Sequence, residues 1–290
     1  METLPAVPDP ARRAARPYHS DVSAVQPQLF PAARRPRDRA LDSAVERLAT
    51  ASPEERGAIY TKAGVVALIL DLVGYTADAD LSAARILEPS FGEGDFLLPV
   101  AARLIESRRR RGLPLTADGL AGCVRAVEVH RDTFDATRAA LLAQLTDDGV
   151  AADVAAGLAD AWLLRGDFLL AELPGGFDAV VGNPPYIRQE ALDPRLLAAY
   201  RERYATLYDR ADVYVPFFER GLRLLGDGGA LGYICSDRWV KNKYGGPLRR
   251  MIAEGFALTH YVDLYGASPF TQEVIAAARS SQYREPPAGR

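Results

Sequence analysis

The feature that most constrains what this chain can fold into is an alternation that begins near residue 85. Short apolar runs, too brief for buried helices, are separated by longer stretches with helical periodicity. Residues 85–88, 123–128, 162–164, 177–181, 229–235 and 259–264 read as strands, the last run being the final strand. Residues 96–109, 132–145, 212–225 and 248–255 read as helices. Strands and helices taken in turn imply a largely parallel sheet with helices on both faces. In such α/β sheets ligands bind outside the carboxyl ends of the strands, near the point where strand order reverses. The residues just after each strand are therefore the ones to inspect.

A chain of 290 residues, 48% of them hydrophobic, suits one large α/β domain and can bury a full core. Residues 1–40 are rich in Pro, Ala and Arg, lack periodicity, and read as a disordered leader. From Leu41 the pattern turns helical, Ser52-Pro53-Glu54-Glu55 reads as a helix start, and residues 63–73 are apolar enough for a buried helix. Cys123 and Cys235 lie far apart in apolar runs and read as small buried hydrophobes. His19, His130 and His260 are scattered, so no metal site is expected. No apolar run approaches the roughly 20 residues of a membrane span, and the N-terminus lacks a signal-peptide core. The expected location is the cytoplasm. The net charge of −3 excludes a uniformly basic nucleic-acid binder, although a local basic face would suffice for such a partner.

Four strand ends carry candidate chemistry. After the first comes Glu88-Pro89-Ser90-Phe91-Gly92-Glu93-Gly94-Asp95-Phe96, whose alternate glycines permit a sharp turn and close approach of a ligand. An ordinary strand-to-helix turn would look much the same. After the second comes Glu128, an acid placed to accept both hydroxyls of a ribose or simply to face solvent. It lies 40 positions beyond Glu88, a separation widened by the basic run Arg108-Arg109-Arg110-Arg111. After the third comes Gly166-Asp167-Phe168, in which the Asp can accept from an adenine amino group and the Phe can cover the ring. A helix-capping Asp reads equally well.

The fourth end is the most informative. A strand closing at Gly182 runs into Asn183-Pro184-Pro185-Tyr186. Consecutive prolines stiffen the chain and offer carbonyls without N–H groups. The Asn side chain adds an acceptor and the Tyr adds a flat face. Together they form a rigid cradle suited to a planar group bearing an NH2. A proline turn that merely closes a strand accounts for the prolines but poorly for the Asn and the Tyr.

Asn183-Pro184-Pro185-Tyr186 resembles the catalytic motif of amino-methyltransferases, and the order of motifs resembles the γ class of adenine-N6 DNA methyltransferases. In that class a Thr-bearing segment precedes a Gly-rich loop, which precedes the catalytic motif. Ile59-Tyr60-Thr61-Lys62 matches the first, with Lys62 where the family commonly has Pro. Glu88 to Leu97 is similar to the family's acid-Pro-Ala-Cys-Gly-Ser-Gly-Ala-Phe-Leu, and Asp95 is its least usual departure. The stretch 228–250, with Trp239 and Asn242-Lys243-Tyr244-Gly245, resembles the Eco57I-like restriction-modification methylases. The resemblance covers about residues 55–275. It implies a class I S-adenosylmethionine-dependent methyltransferase fold, Rossmann-like, with a mostly parallel seven-stranded sheet. The expected organisation is a leader over 1–40, a catalytic domain over 41–275, and a tail over 276–290 with the target-recognition domain absent.

The resemblance also implies roles. Thr61 and the Gly92/Gly94 loop would hold the methionine part of S-adenosylmethionine, with Glu88 near its ammonium, and Tyr60, Pro89, Ser90 and Phe96 would also bind the cofactor. Glu128 would hold the ribose, and Asp167 and Phe168 the cofactor's adenine, with Asn183 between cofactor and substrate. Asn183, Pro184 and Pro185 would form the catalytic cradle. Tyr186 would stack on the target base, with Tyr244 on its other face. Lys241, Lys243, Arg249 and Arg250 would contact DNA phosphates. The implied activity is transfer of a methyl group to adenine N6 in DNA, within a restriction-modification or phage-defence system. Recognition would come from a separate specificity subunit or from chain outside this sequence. A protein-glutamine methyltransferase, an RNA amino-methyltransferase and a non-catalytic fragment carry the same motif logic and stand as alternatives.

Overall fold

The computed structural model describes residues 39–52, 61–264 and 273–280. The described elements are α1 (Arg39–Ala49), α2 (Ala63–Leu72), β1 (Ile86–Glu88), α3 (Leu97–Arg110), α4 (Ala117–Leu120), β2 (Val124–Glu128), α5 (Arg131–Asp147), α6 (Ala152–Trp162), β3 (Leu163–Arg165), β4 (Phe177–Gly182), α7 (Pro194–Arg203), α8 (Tyr214–Leu224), β5 (Leu225–Ser236), α9 (Arg238–Lys241), α10 (Gly246–Gly255), β6 (Phe256–Asp263) and β7 (Glu273–Ser280). The seven strands form one sheet in the order β3-β2-β1-β4-β5-β7-β6. Five are parallel neighbours, and β7 runs antiparallel to both β5 and β6.

The apolar runs are continuous because both faces of the sheet are covered, so each strand buries alternate residues on opposite sides. Ile86, Ala126, Ala179, Val181, Ile234 and Ile275 join a core with α2, α3, α5 and α6. Leu87, Val127, Val180, Leu231, Tyr233 and Ala276 join a second core with α7, α8 and α10. Gly232 lets α2 lie close on β5, since an added Cβ would meet Val73 and Ile69. Helix starts follow local capping chemistry. The His130 ring accepts from the Thr133 N–H at the head of α5, and Asp193 caps α7 ahead of Pro194.

Three expected elements are corrected. The run at 259–264 is not the last strand, because β7 follows it and inserts between β5 and β6. Trp162 closes α6 rather than opening β3, its indole N–H donating to the Leu120 carbonyl at 3.0 Å. The helix expected over 212–225 stops at Leu224, where β5 begins. The expected tail boundary falls within β7, which extends to Ser280. Tyr60, the helix start at residues 53–55, nearly all of the 1–40 leader and residues 281–290 lie outside the described residues. Among the described residues no helix is long and apolar enough to cross a membrane, and no group of His, Cys, Asp or Glu could hold a metal ion.

Candidate active site

Strand order reverses at β1, which pairs with β2 on one side and β4 on the other. The ends of these strands and of β3 open into a cleft with an empty volume of about 1010 Å³, counting the part open to solvent. Thr61, Glu88, Gly92, Glu128, Asp167 and Asn183 all line it, as do Pro89, Ser90, Phe96, Phe168 and Pro185. Four strand ends that are distant in sequence are thus brought to one place.

The wall at β1 and β2 is built from backbone N–H groups aimed at carboxylates. Gly92, at φ +50°, donates to Glu128 Oε2 at 2.9 Å, and the His130 N–H donates to Glu128 Oε1 at 2.8 Å. Each oxygen keeps a second lone pair for a ligand. Gly94, at φ +91°, does not line the cleft. It is a backbone pivot whose added Cβ would press on Thr137 and Leu98. The departure at Asp95 has a structural reason: its Oδ2 accepts from the Thr61 N–H at 2.6 Å. Thr61 Oγ1 in turn accepts from Asn183 Nδ2 at 3.1 Å. One chain of hydrogen bonds therefore ties the Thr segment, the Gly-rich loop and the Asn-Pro-Pro-Tyr motif together.

Glu88 is the least exposed of the cleft's carboxylates, at 3%, and its Oε2 has no hydrogen-bond partner among the described residues. Burial, then the nearby Asp95 and Glu128 charges, push its carboxyl well above the usual range. Asp167 is also pushed up by burial, against the opposing pull of its hydrogen bonds. Its Oδ1 accepts from the Leu169 N–H at 2.8 Å and its Oδ2 accepts from the Tyr200 hydroxyl. Phe168 packs on Phe217 with ring centroids 4.9 Å apart, and the Arg220 guanidinium stacks 4.9 Å from its centroid. Glu88, Glu93, Asp95, Glu128 and Asp167 line the cleft, and among its described lining residues none is Lys, Arg or His. Such a site repels phosphates and favours a ligand with cationic and hydroxyl or amino donor groups. Tyr200, Phe217 and Val213 also line it. They come from α7, α8 and the segment before α8, and no local motif marks them.

Beyond β4 the surroundings change character, and Pro184, Tyr186, Tyr214 and Tyr244 are not among the residues that line this cleft. Pro184 is buried, and Tyr186 packs on Tyr214 at 5.9 Å with the rings tilted by 36°. Tyr214 is fully buried, and its hydroxyl lies 3.3 Å from that of Tyr244. Tyr244 is itself buried and backs onto this ring stack rather than standing at the surface. The basic stretch 241–250 divides. Lys241 pairs with Asp237, and Arg249 donates to the Trp239 and Asn242 carbonyls, so both are engaged within the fold. Lys243 and Arg250 are exposed.

Residues 135–270 match the family described as Eco57I restriction-modification methylase. The chain is 55% identical over 236 residues to the Type II methyltransferase M.PaeR7I of Pseudomonas aeruginosa, covering 81% of this chain and 41% of that one. It is 54% identical over 225 residues to the Type II methyltransferase M.XhoI of Xanthomonas vasicola, covering 77% and 41%. The chain thus spans about two fifths of the length of these curated relatives. A Listeria monocytogenes structure assigned as a class I S-adenosylmethionine-dependent methyltransferase superposes with a TM-score of 0.53 at 14% identity, covering 86% of this chain and 69% of that one. The fold is that of the class I methyltransferases, and the resemblance to the Eco57I-like methylases is borne out.

Proposed function

We propose that this chain, a relative of the Eco57I restriction-modification methylases, is the catalytic part of a DNA methyltransferase that acts on adenine N6 with S-adenosylmethionine as methyl donor. The observation that carries the reading is an acid-rich cleft, with no cation among its described lining residues, joined by hydrogen bonds to the Asn of an Asn-Pro-Pro-Tyr cradle. S-adenosylmethionine, when bound, supplies an electrophilic methyl group. Its positive charge and its donors fit five carboxylates, and they fit the unpartnered Glu88 Oε2 in particular. Glu88 would hold the ammonium, Glu128 the ribose hydroxyls, and Asp167 with Phe168 the adenine. A ligand ammonium beside Glu88 would return its carboxyl to the ionised form.

An adenine amine is a poor nucleophile because its lone pair is delocalised into the ring. The side-chain acceptor of Asn183 and the carbonyl of Pro184 would take its hydrogens and stabilise the charge that grows on nitrogen. The Thr61 hydrogen bond holds the Asn183 amide in one orientation, and that is the positioning such a reaction needs. A base within a duplex cannot reach this cleft, so it would be flipped out, with stacking on Tyr186 offsetting part of the cost. Sequence recognition would come from a further domain or a separate specificity subunit.

The test is incubation of the chain with methyl-labelled S-adenosylmethionine and DNA, RNA and protein in turn, followed by mass spectrometry. Label in N6-methyladenine from DNA is the expected result. Label confined to glutamine or to RNA would replace the substrate assignment, and cofactor binding without transfer to any of them would reduce the chain to a binding fragment.

A further inference from the structure

Two of the four basic residues downstream of the catalytic motif, Lys241 and Arg249, are engaged within the fold, which raises the question of where else a polyanion would be gripped. A different surface answers it. Tyr208 is 49% exposed, an uncommon position for a large ring among the described residues. It opens a tight turn in which its carbonyl accepts from the Ala211 N–H at 3.1 Å. Asp209, next along, is the only described non-glycine residue with positive φ, at 54°. That conformation costs an L-residue on the order of 1 kcal/mol. It is held by the buried Gln189, whose Nε2 donates to the Asp209 carbonyl at 2.6 Å and whose Oε1 accepts from Arg201 at 2.7 Å. The base of the turn is fixed again where the Val213 N–H donates to the Ile187 carbonyl at 2.9 Å. Gln189 and Ile187 directly follow Asn183-Pro184-Pro185-Tyr186. The strained turn is therefore bolted to the catalytic motif, and it projects an aromatic ring.

Arg210, in the same turn, is exposed, and so are Arg188, two residues past Tyr186, and Arg238, at the head of α9. None of the three forms an ion pair with a described residue, unlike Lys241. Burial raises the carboxyl of the half-buried Asp212, and the charges of Arg238 and Arg188 pull it back down, so both guanidiniums lie within electrostatic reach of that one residue.

We propose that Tyr208, Arg188, Arg210 and Arg238 form the surface that grips nucleic acid around the target base, Tyr208 stacking on an exposed base and the arginines binding phosphates. The inference rests on the DNA reading above and deepens it. A ring held out by a fixed turn loses little entropy when a base stacks on it. Exposed guanidiniums that form no ion pair with a described residue give up at most the longer-range pull of Asp212 when they meet a phosphate.

The test is binding of the 290-residue chain to a fluorescent oligonucleotide duplex over a range of salt, with cofactor affinity measured in parallel. Tyr208→Ala is expected to weaken binding by about 10-fold or more, and Tyr208→Trp to restore it. Combined Arg188→Gln, Arg210→Gln and Arg238→Gln changes are expected to flatten the log–log salt dependence by about 0.9 for each phosphate that is no longer neutralised. Cofactor affinity is expected to be unaltered throughout. Wild-type affinity and salt slope in both variants would overturn the proposal while leaving the methyltransferase reading intact. DNA binding that depends on these residues, with no label transferred to DNA, would uphold the surface and remove the substrate assignment. Failure of the wild type to bind any oligonucleotide would remove both.

Discussion

The wall of the cleft and the wall of rings beyond β4, outside the cleft lining, are built by different means. At the ends of β1, β2 and β3, side-chain carboxylates are fixed by backbone N–H groups: Glu128 by Gly92 and His130, Asp95 by Thr61, Asp167 by Leu169. Beyond β4 the contacts run between side chains, with Tyr186 on Tyr214 and Tyr214 on Tyr244. A carboxylate held by the main chain cannot be removed without leaving a buried donor unmet, so binding and folding are coupled on the first wall. An exposed guanidinium beside the second wall, such as that of Arg188 or Arg238, can be changed with less cost to the fold, whereas the buried Tyr214 and Tyr244 cannot. The first suits a small ligand of fixed shape, and the second suits a larger, sliding partner.

The sharpest way to break this comparison is Asn183→Ala. It is expected to lower methyl transfer by well over 10-fold while changing cofactor affinity and thermal midpoint little, because its acceptor would serve the substrate amine and not the cofactor. Single-turnover rates and calorimetry on the same preparation check it, and more than a tenth of wild-type turnover would contradict the assignment. Glu128→Ala, on the opposite wall, is expected to weaken S-adenosylmethionine binding by tens of fold. It should also destabilise the free protein by about 1–3 kcal/mol, because the Gly92 and His130 N–H groups lose their acceptor. Equal melting of variant and wild type would show that the two functions are not coupled there.

A smaller effect is expected from Tyr200→Phe, which removes the donor to Asp167 and keeps the ring. Loss of about 1–2 kcal/mol of stability, with a few-fold loss of cofactor affinity, is the expected outcome in denaturant titration and calorimetry. The subtlest prediction concerns Glu88. Its carboxyl titrates above the ordinary 4.5 in the fold. Between 4.5 and the raised value the folded protein retains a proton that the unfolded chain has released. This group's contribution to stability is therefore complete below pH 4.5 and declines as pH rises through that window. Glu88→Gln should flatten the decline, raise the neutral-pH melting point of the ligand-free protein and weaken S-adenosylmethionine binding. An unchanged melting profile against pH would show that Glu88 is not strained by its burial.

Much of the cleft was legible because its signals are local. Glu88 and Glu128 close β1 and β2, and Asp167 and Asn183 come within two residues of the ends of β3 and β4; strand ends can be read from hydrophobic patterning alone. Asp95 was legible only as a departure from pattern, since its partner Thr61 lies 34 positions away. The helices α6 and α7 were not read. α7 carries Tyr200 into the cleft, yet its sequence, Pro194 to Arg203, is polar enough to pass for a loop. Tyr208 had no signal at all, because exposure of a ring is a property of packing and not of its neighbours in sequence.

By itself the sequence determined the alternation of strands and helices, the parallel half of the sheet and the four strand ends where chemistry gathers. Those follow from patterns within a few residues, and the topology of parallel α/β units leaves few alternatives. Only the tertiary structure decided that β7 threads between β5 and β6, that Asp95 holds Thr61, that Lys241 is spent on Asp237, and that Arg188, Arg210 and Arg238 are not. Each of these depends on which side chains meet across long stretches of chain. A hydrogen bond or an ion pair has a reach of about 3–4 Å, so it is set by packing and leaves no periodic trace in the sequence.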